Sequence, residues 1–288
     1  MSKTSTFHSR LVVKAYAKIN LTLEVLGHYD NGYHEIVSVV QAVDLYDTLS
    51  FQPDYNITLR SNPPQLQVSS NLVLKAANLL QSFTHTQQGA LITLEKSIPM
   101  DSGLGGGSSD AAATLRALNQ LWKLDLPQLT LEKLASELGS DVAFFLNGNT
   151  ALMEGRGERI TPLPSFPESW VVLFKPSIQI PHKTQAMYAR LDESHFTRGE
   201  FTKSLIDAMQ KNAKKPYSLC YNVFEEIAFT SIFKLEEYRQ CFLDAGAVST
   251  HLAGAGPTLF TFVESQAMGE NICSLLNAGE SYVVRTLE

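Results

Sequence analysis

A run of glycines held between a strand and a helix constrains this chain more than any other feature. The stretch Pro99-Met-Asp-Ser-Gly-Leu-Gly-Gly-Gly-Ser-Ser-Asp-Ala-Ala-Ala113 places Gly103, Gly105, Gly106 and Gly107 within five positions. An apolar segment ending in Lys96 precedes it and an Ala/Leu-rich, helix-forming run follows. Without Cβ atoms the backbone can turn sharply and aim several N–H groups at one point, and the helix N-terminus adds its positive end. Such a turn is a cradle for a polyphosphate. A flexible linker would not be clamped between a strand and an Ala-rich helix. Neither a P-loop Gly-x-x-x-x-Gly-Lys-Ser/Thr nor a Gly-x-Gly-x-x-Gly is present, which sets aside P-loop, dinucleotide-binding and protein-kinase patterns.

Composition bounds what the cradle serves. At 288 residues and 44% hydrophobic content the chain can form one large domain or two ordinary ones. A net charge of −6 argues against nucleic acid as partner, since no basic stripe is available to displace counterions. An anionic ligand must therefore be held by backbone amides and a few lysines. Cys220, Cys241 and Cys273 are odd in number and far apart, so they read as reduced, packed side chains. The N-terminal residues lack an apolar stretch of signal-peptide length, and no apolar run is long enough to span a bilayer. The expectation is a cytoplasmic protein without a membrane partner, monomer or homodimer.

Periodicity organises the rest. Ile19, Leu21, Leu23 and Val25 alternate with polar residues and predict a strand, and Asp30-Asn31-Gly32 a turn. Ile36–Val43 and Thr48–Phe51 read as two further strands. From Asn71, a plausible cap, Leu72, Ala76, Leu79, Leu80 and Phe83 follow helical spacing. Ala90–Glu95 is a strand into the glycine loop, and Ser108–Trp122 the helix out of it. A helix over Thr130–Leu138 should stop at a left-handed Gly139, with Ser140 or Asp141 capping a short helix Val142–Leu146. Thr150–Ile160 reads as a hairpin turning at Gly155-Arg-Gly157. Pro162, Pro164 and Pro167 then mark the best boundary, giving domains 1–163 and 164–288. The second half has a strand Trp170–Phe174 and helices near Thr184–Leu191, Phe201–Gln210, Asn222–Ala228 and Ile232–Ala245. A second glycine turn, Leu252–Pro257, leads into a strand Thr258–Val263, a helix Gln266–Leu276 and a strand Tyr282–Arg285. Mixed strands and helices without strict alternation favour α+β.

Taken in order, Ala17-Lys-Ile-Asn-Leu21, Asp30-Asn-Gly-Tyr-His34, Gly103-Leu-Gly-Gly-Gly-Ser-Ser-Asp-Ala-Ala112, Ser140-Asp-Val142 and Gly254-Ala-Gly-Pro257 resemble the motifs of the GHMP small-molecule kinases. The likeness runs from about residue 15 to about 265. It implies two α+β domains, an N-terminal one like the second domain of ribosomal protein S5 and a ferredoxin-like C-terminal one, with the active site in the cleft. It also implies transfer of phosphate from ATP to the free hydroxyl of a cytidine-diphospho-methylerythritol, a small-molecule substrate of non-mevalonate isoprenoid synthesis. The Gly-Tyr-His34 element and the long glycine loop set the chain apart from mevalonate and homoserine kinases of the same family. A mevalonate-pathway kinase or decarboxylase, and a non-catalytic sensor of the same fold, are the rival readings.

By this resemblance Asp141 is the general base on the substrate hydroxyl and Lys18 the lysine that contacts both. Read from its residues alone, Asp141 is as well explained as a helix cap, and Lys18 as a solvated strand charge. Asn20, two residues along the strand from Lys18, would face the same side and hold the substrate. Tyr33 is expected to stack on the cytosine and His34 to bond its edge, with Thr184 and Tyr188 closing over the base. ATP falls to Pro99, Met100, Asp101, Ser102, Gly103, Leu104, Gly105, Gly106, Gly107, Ser108 and Ser109. Two readings stand for Lys96: contact with ATP, or a solvated strand end. Mg²⁺ is expected with ATP, but no metal ligand is assigned; Ser108 or Ser109 could supply a hydroxyl, and Asp110 is either a ligand or a favourable charge on the first helical turn. Tyr16, Val223, Ala253, Ala255 and the Ile180-Pro-His-Lys183 stretch depart from the family pattern.

Overall fold

The computed structural model describes residues 10–230 and 235–288. Its strands are β1 (Leu11–Asn20), β2 (Thr22–His28), β3 (His34–Asp54), β4 (Ile57–Asn62), β5 (Gly89–Glu95), β6 (Thr150–Gly155), β7 (Arg159–Pro162), β8 (Trp170–Pro176), β9 (Tyr221–Asn222), β10 (His251–Leu252), β11 (Leu259–Val263) and β12 (Gly279–Arg285). Its α-helices are α1 (Leu72–Thr84), α2 (Gly106–Leu121), α3 (Gln128–Leu138), α4 (Lys183–Tyr188), α5 (Glu200–Gln210), α6 (Phe224–Ala228), α7 (Leu235–Asp244) and α8 (Gln266–Leu275).

The chain divides into two compact units. The first takes β1 as far as Tyr16, then Leu45–Ile98 and Gly105–Leu146. In it β5 pairs antiparallel with β3, Thr48 facing Glu95, and parallel with β4, Ile57 facing Ala90. α1, α2 and α3 pack on one another, and Val73, Ala76, Leu80, Ala111, Leu115, Leu118, Leu131 and Leu134 on them are buried. Buried alanines in α1 and α2, among them Ala76, Ala77, Ala111 and Ala112, take little space while keeping helix propensity high. Asn71 caps α1 as expected, its side chain accepting the Val73 amide at 2.9 Å.

The second unit takes Ala17–Asp44, Pro99–Leu104 and Asn147–Glu288. β2 pairs antiparallel with β3 and parallel with β9, while β6 joins β3 and β7. A separate antiparallel sheet runs in the order β10-β11-β8-β12. One apolar core combines Leu23, Val25 and Ile36 with Val172, Phe174, Phe224, Phe242, Leu252, Leu259 and Ile272. The α+β class is what the ladders and helices show, and the Gly32 and Gly155–Gly157 turns lie where expected, with positive φ at all three glycines.

Several expectations need correction. Ile19–Val25 is not one strand: the chain bends at Leu21 between β1 and β2, and β1 begins eight residues before Ile19. Ile36–Val43 and Thr48–Phe51 are parts of a single strand, β3. β4 was not anticipated. Gly139 is extended rather than left-handed, at φ 162 and ψ 156, and a Cβ there would meet only Val142 at 3.6 Å. Asp141 caps no α-helix; it lies in a turn before the 3₁₀ turn Phe144–Leu146. Asn222 belongs to β9, and α6 starts at Phe224. Of the helix expected over Ile232–Ala245, Leu235–Asp244 is helical and Ile232 to Lys234 lie outside the described residues.

Candidate active site

In the first unit the glycine loop enters α2 through Gly105, whose φ of +75° is the left-handed region open to glycine. At Gly106 the need is steric. An added Cβ would lie 3.0 Å from Cγ2 of Ile98 and 3.1 Å from Nζ of Lys96, so the Lys96 ammonium sits directly beneath the loop. Ser109 is buried in the first turn of α2, its amide bonded to the Gly105 carbonyl at 2.9 Å, while Gly107 is exposed and Ser108 half-buried.

Lys96 is no solvated strand end. Its side chain is 9% exposed and its Nζ bonds Oδ2 of Asp47 and, at 2.9 Å, Oδ2 of Asp110. Asp47 is fully buried and also accepts the amides of Ser97 at 2.6 Å and Ile98 at 2.8 Å. Burial opposes the Lys96 charge, but Asp110 and Asp47 outweigh it and raise its pKa. Asp110 shares that single lysine with Asp47, and its Oδ1 is buried without a hydrogen-bond partner. Burial, helped by the Asp47 charge and opposed by Lys96, pushes its carboxyl up to about 7. Asp47 escaped the sequence reading because an acidic residue inside a strand looks like an interruption. Asp141, half-buried, lies in the same unit, three residues after the end of α3.

In the second unit Lys18 and Asn20 share a face of β1, as their two-residue spacing requires. Both are buried, and Lys18 Nζ donates to Asn20 Oδ1 at 2.6 Å. Asn20 Nδ2 donates in turn to Ser38 Oγ at 2.9 Å, and Ser38 to the Thr22 carbonyl at 2.5 Å. A polar row threaded through a strand core is costly unless satisfied, and here each member has a partner. Ser38 carried no signal in the sequence. The second glycine turn closes on this row: a Cβ on Gly254 would fall 3.4 Å from both Asn20 Oδ1 and Lys18 Nζ. Asn222 holds the turn by donating to the carbonyls of Leu252 and Gly254, both at 2.8 Å.

The Pro99–Leu104 arm docks on the same turn. The Thr258 amide donates to the Ser102 carbonyl at 3.2 Å and the Lys18 amide to the Leu104 carbonyl at 2.9 Å. Gly103, at φ +88°, lies so close that a Cβ would stand 2.2 Å from the Ala253 carbonyl oxygen. Pro99 is half-buried and Met100 and Asp101 are exposed. Lys183, which the sequence reading passed over, donates from Nζ to the carbonyls of Asp101, at 2.5 Å, and Gly256.

The residues expected at the base are partly gathered. His34 stacks at a tilt on Tyr188, centroids 4.7 Å apart, with Phe196 edge-on at 6.4 Å and Phe224 edge-on to Tyr188 at 4.9 Å. Burial, then the nearby His28, lowers the His34 pKa and favours its neutral ring. Tyr33 stands apart from that cluster, 57% exposed, under the Arg156 guanidinium 5.1 Å from its ring centroid. Thr184 is exposed one helical turn before Tyr188 and lines a cavity of about 790 Å³ together with Met100, Asp101 and Lys183.

The sequence matches the family model for the GHMP kinases N terminal domain over residues 71–149 and that for GHMP kinases C terminal over residues 200–278. It is 46% identical over 280 residues to the 4-diphosphocytidyl-2-C-methyl-D-erythritol kinase of Dehalococcoides mccartyi (strain ATCC BAA-2266 / KCTC 15142 / 195), covering 96% of this chain and 98% of that protein. A crystal structure of 4-(cytidine 5'-diphospho)-2C-methyl-D-erythritol kinase superposes with a TM-score of 0.82 at 31% identity, over 96% of this chain and 99% of the other. A homoserine kinase from Cytophaga hutchinsonii shares the fold alone, with a TM-score of 0.75 at 18% identity, covering 100% of this chain and 97% of the other. Among the described residues no helix is long and apolar enough to cross a membrane.

Proposed function

We infer the reaction from one premise: this chain belongs to the GHMP kinase family. It is an ATP-dependent kinase that phosphorylates the free 2-hydroxyl of 4-diphosphocytidyl-2-C-methyl-D-erythritol, a step of non-mevalonate isoprenoid precursor synthesis. The relation that carries this reading is the 46% identity to the Dehalococcoides mccartyi kinase, which extends over nearly the whole of both chains. The rival family members share the fold at much lower identity. We place the enzyme in the cytoplasm, with a boundary near residue 163 separating the segments that match the two family models.

Phosphoryl transfer asks a protein to position reactants and neutralise charge more than to make covalent bonds. We assign the ATP phosphates to the loop Pro99–Ser109, with Lys96 beneath Gly106 at its floor, and the acceptor to Lys18 and Asn20. Lys18 and Asn20 are held rigid by burial and by Ser38, which suits a group that must orient a hydroxyl. Asp141 takes the hydroxyl proton as the acceptor oxygen attacks the γ-phosphorus and the bond to the departing ADP breaks. His34, with Tyr188 and Thr184 beside it and Tyr33 preceding it, reads the cytosine; a neutral imidazole both donates and accepts, as a base edge requires.

Among the described residues no group of three or more acidic, histidine or cysteine side chains could cage a metal. That suits Mg²⁺, which is bound through one or two carboxylates plus substrate phosphates. The orphaned Oδ1 of Asp110 and the Ser108 or Ser109 hydroxyls would hold it, and its charge would offset that of the phosphates.

A coupled ADP-release assay with the cytidylyl substrate, mevalonate and homoserine side by side tests the reading. Turnover is expected with the cytidylyl compound alone, and preference for either other alcohol overturns it. On the same preparation Asp141→Asn should lower kcat about 10²–10⁴-fold, the range for loss of a positioned base, with its melting temperature unchanged. Wild-type-like rates would remove Asp141 from the mechanism.

A further inference from the structure

Lys183 ends the Ile180-Pro-His-Lys183 stretch that departs from the family pattern, and its ammonium is turned inward onto backbone. It is half-buried at the start of α4, and both its hydrogen bonds go to neutral carbonyls, of Asp101 on the glycine-loop arm and Gly256 on the second glycine turn. It thereby ties together two backbone segments that also meet at Gly103 and Ser102. A neutral donor would do this with less cost, because an ammonium removed from water loses solvation that two carbonyls only partly replace. The neighbourhood makes the charge dearer still. Burial, then repulsion from Lys18 and Lys175 against the pull of Asp101, brings Lys183 down to about 8. Lys175 and Lys183 line the same cavity as Thr184, and Glu280, which also lines it, is engaged by the Tyr282 hydroxyl at 2.7 Å.

Three ammonium groups, of Lys18, Lys175 and Lys183, stand against the two carboxylates of Asp101 and Glu280, and a net positive charge beside two glycine turns is the arrangement an anion relieves. We propose that Lys183 is a phosphate-binding residue, donating the third N–H of its ammonium to an oxygen of a nucleoside di- or triphosphate bound at the second glycine turn. An ammonium has three donors, of which two are spent on carbonyls, so the staple and the phosphate contact are compatible. This rests on the kinase reading above, which supplies two ligands of that chemistry, ATP and a cytidine diphosphate ester.

Calorimetric titration with ADP and with CDP, on wild type, Lys183→Met, Lys183→Gln and Lys183→Arg, separates the sources. The methionine variant should bind one nucleotide about tenfold more weakly, and arginine should recover most of that loss. The nucleotide that weakens names the source of the phosphate. Lys183→Gln keeps amide donors for the carbonyls without the charge, so it should lose affinity like methionine even where methionine fails to fold. Unchanged affinities in a folded Lys183→Gln overturn the proposal and leave a neutral staple. Nucleotide binding that depends on Lys183, in a wild-type protein inactive on the cytidylyl substrate, would instead overturn the kinase reading and spare this one.

Discussion

Three charges share one buried point in the first unit, and their arithmetic does not balance. Lys96 offers one positive charge to Asp47 and Asp110. Asp47 has two backbone amides besides, whereas Asp110 has the lysine and an orphaned Oδ1. The deficit falls on Asp110, whose carboxyl rises from an ordinary value near 3.8 to about 7. A carboxyl with a raised pKa holds its proton more tightly in the folded chain than in the unfolded one. Its stabilising contribution is therefore complete below about pH 3.8 and is lost as pH rises through 7. Urea melts of wild type against Asp110→Asn should show the wild-type advantage shrinking between about pH 4 and 7 and levelling off above that; a constant difference would mean that Asp110 does not titrate there. A bound magnesium ion or phosphate group would change this balance, so the melts are done without nucleotide. Lys96→Met, which strands both carboxylates, should cost about 3–5 kcal/mol at neutral pH.

At the scale of elements, the junction of the glycine loop and α2 is where shape and charge meet. Gly106 leaves only 3.0–3.1 Å between a would-be Cβ and Ile98 or Lys96, so alanine fits if these neighbours yield by a few tenths of an ångström. Either shift disturbs the floor of the loop, where Lys96 is tethered to two carboxylates. Gly106→Ala should thus remain folded yet raise KM for ATP several-fold, with KM for the cytidylyl substrate nearly unchanged. An equal rise in both constants would place the loop's role elsewhere. The glycine-to-helix junction was legible because glycine and alanine content declare it locally. So was the Lys18–Asn20 pairing, since the period of a strand places residues two apart on one face. The unity of β3 was not, because Asp44 and Asp47 look like breaks; Asp47 is tolerated inside the strand through Lys96 and the amides of Ser97 and Ile98, some fifty residues away. Asp141's local setting was missed for a related reason. Its neighbours have capping chemistry, but Val142–Leu146 forms a turn and a single 3₁₀ turn instead of an α-helix. The contacts of Lys183 were not legible, because a lysine staple between two carbonyls depends on the return of a loop some eighty residues earlier.

At the scale of the molecule, the chain is assembled in an interleaved order. β1 passes from the first unit into the second after Tyr16, β3 returns after Asp44, and Pro99–Leu104 visits the second unit before α2 begins. The proline-marked boundary proposed near residue 163 separates the two family-model segments, yet the core of the second unit draws on both sides of it. Leu23, Val25 and Ile36 pack with Val172, Phe174 and Phe224, and β9 finds its parallel partner in β2. Removing residues 1–163 would strip that core of three buried aliphatic side chains and leave Tyr221 and Asn222 without their ladder. Exposing a Leu, a Val and an Ile core site costs about 1.5–3 kcal/mol each, comparable in sum to the whole stability of an ordinary domain. A fragment spanning 164–288 should therefore lack a cooperative melt and near-ultraviolet circular dichroism. Adding the fragment 1–163 should restore both if the pieces associate. A cooperative transition in the isolated 164–288 fragment would show instead that its four-stranded sheet and helices suffice, and that β2 and β3 merely cover a core that is already complete.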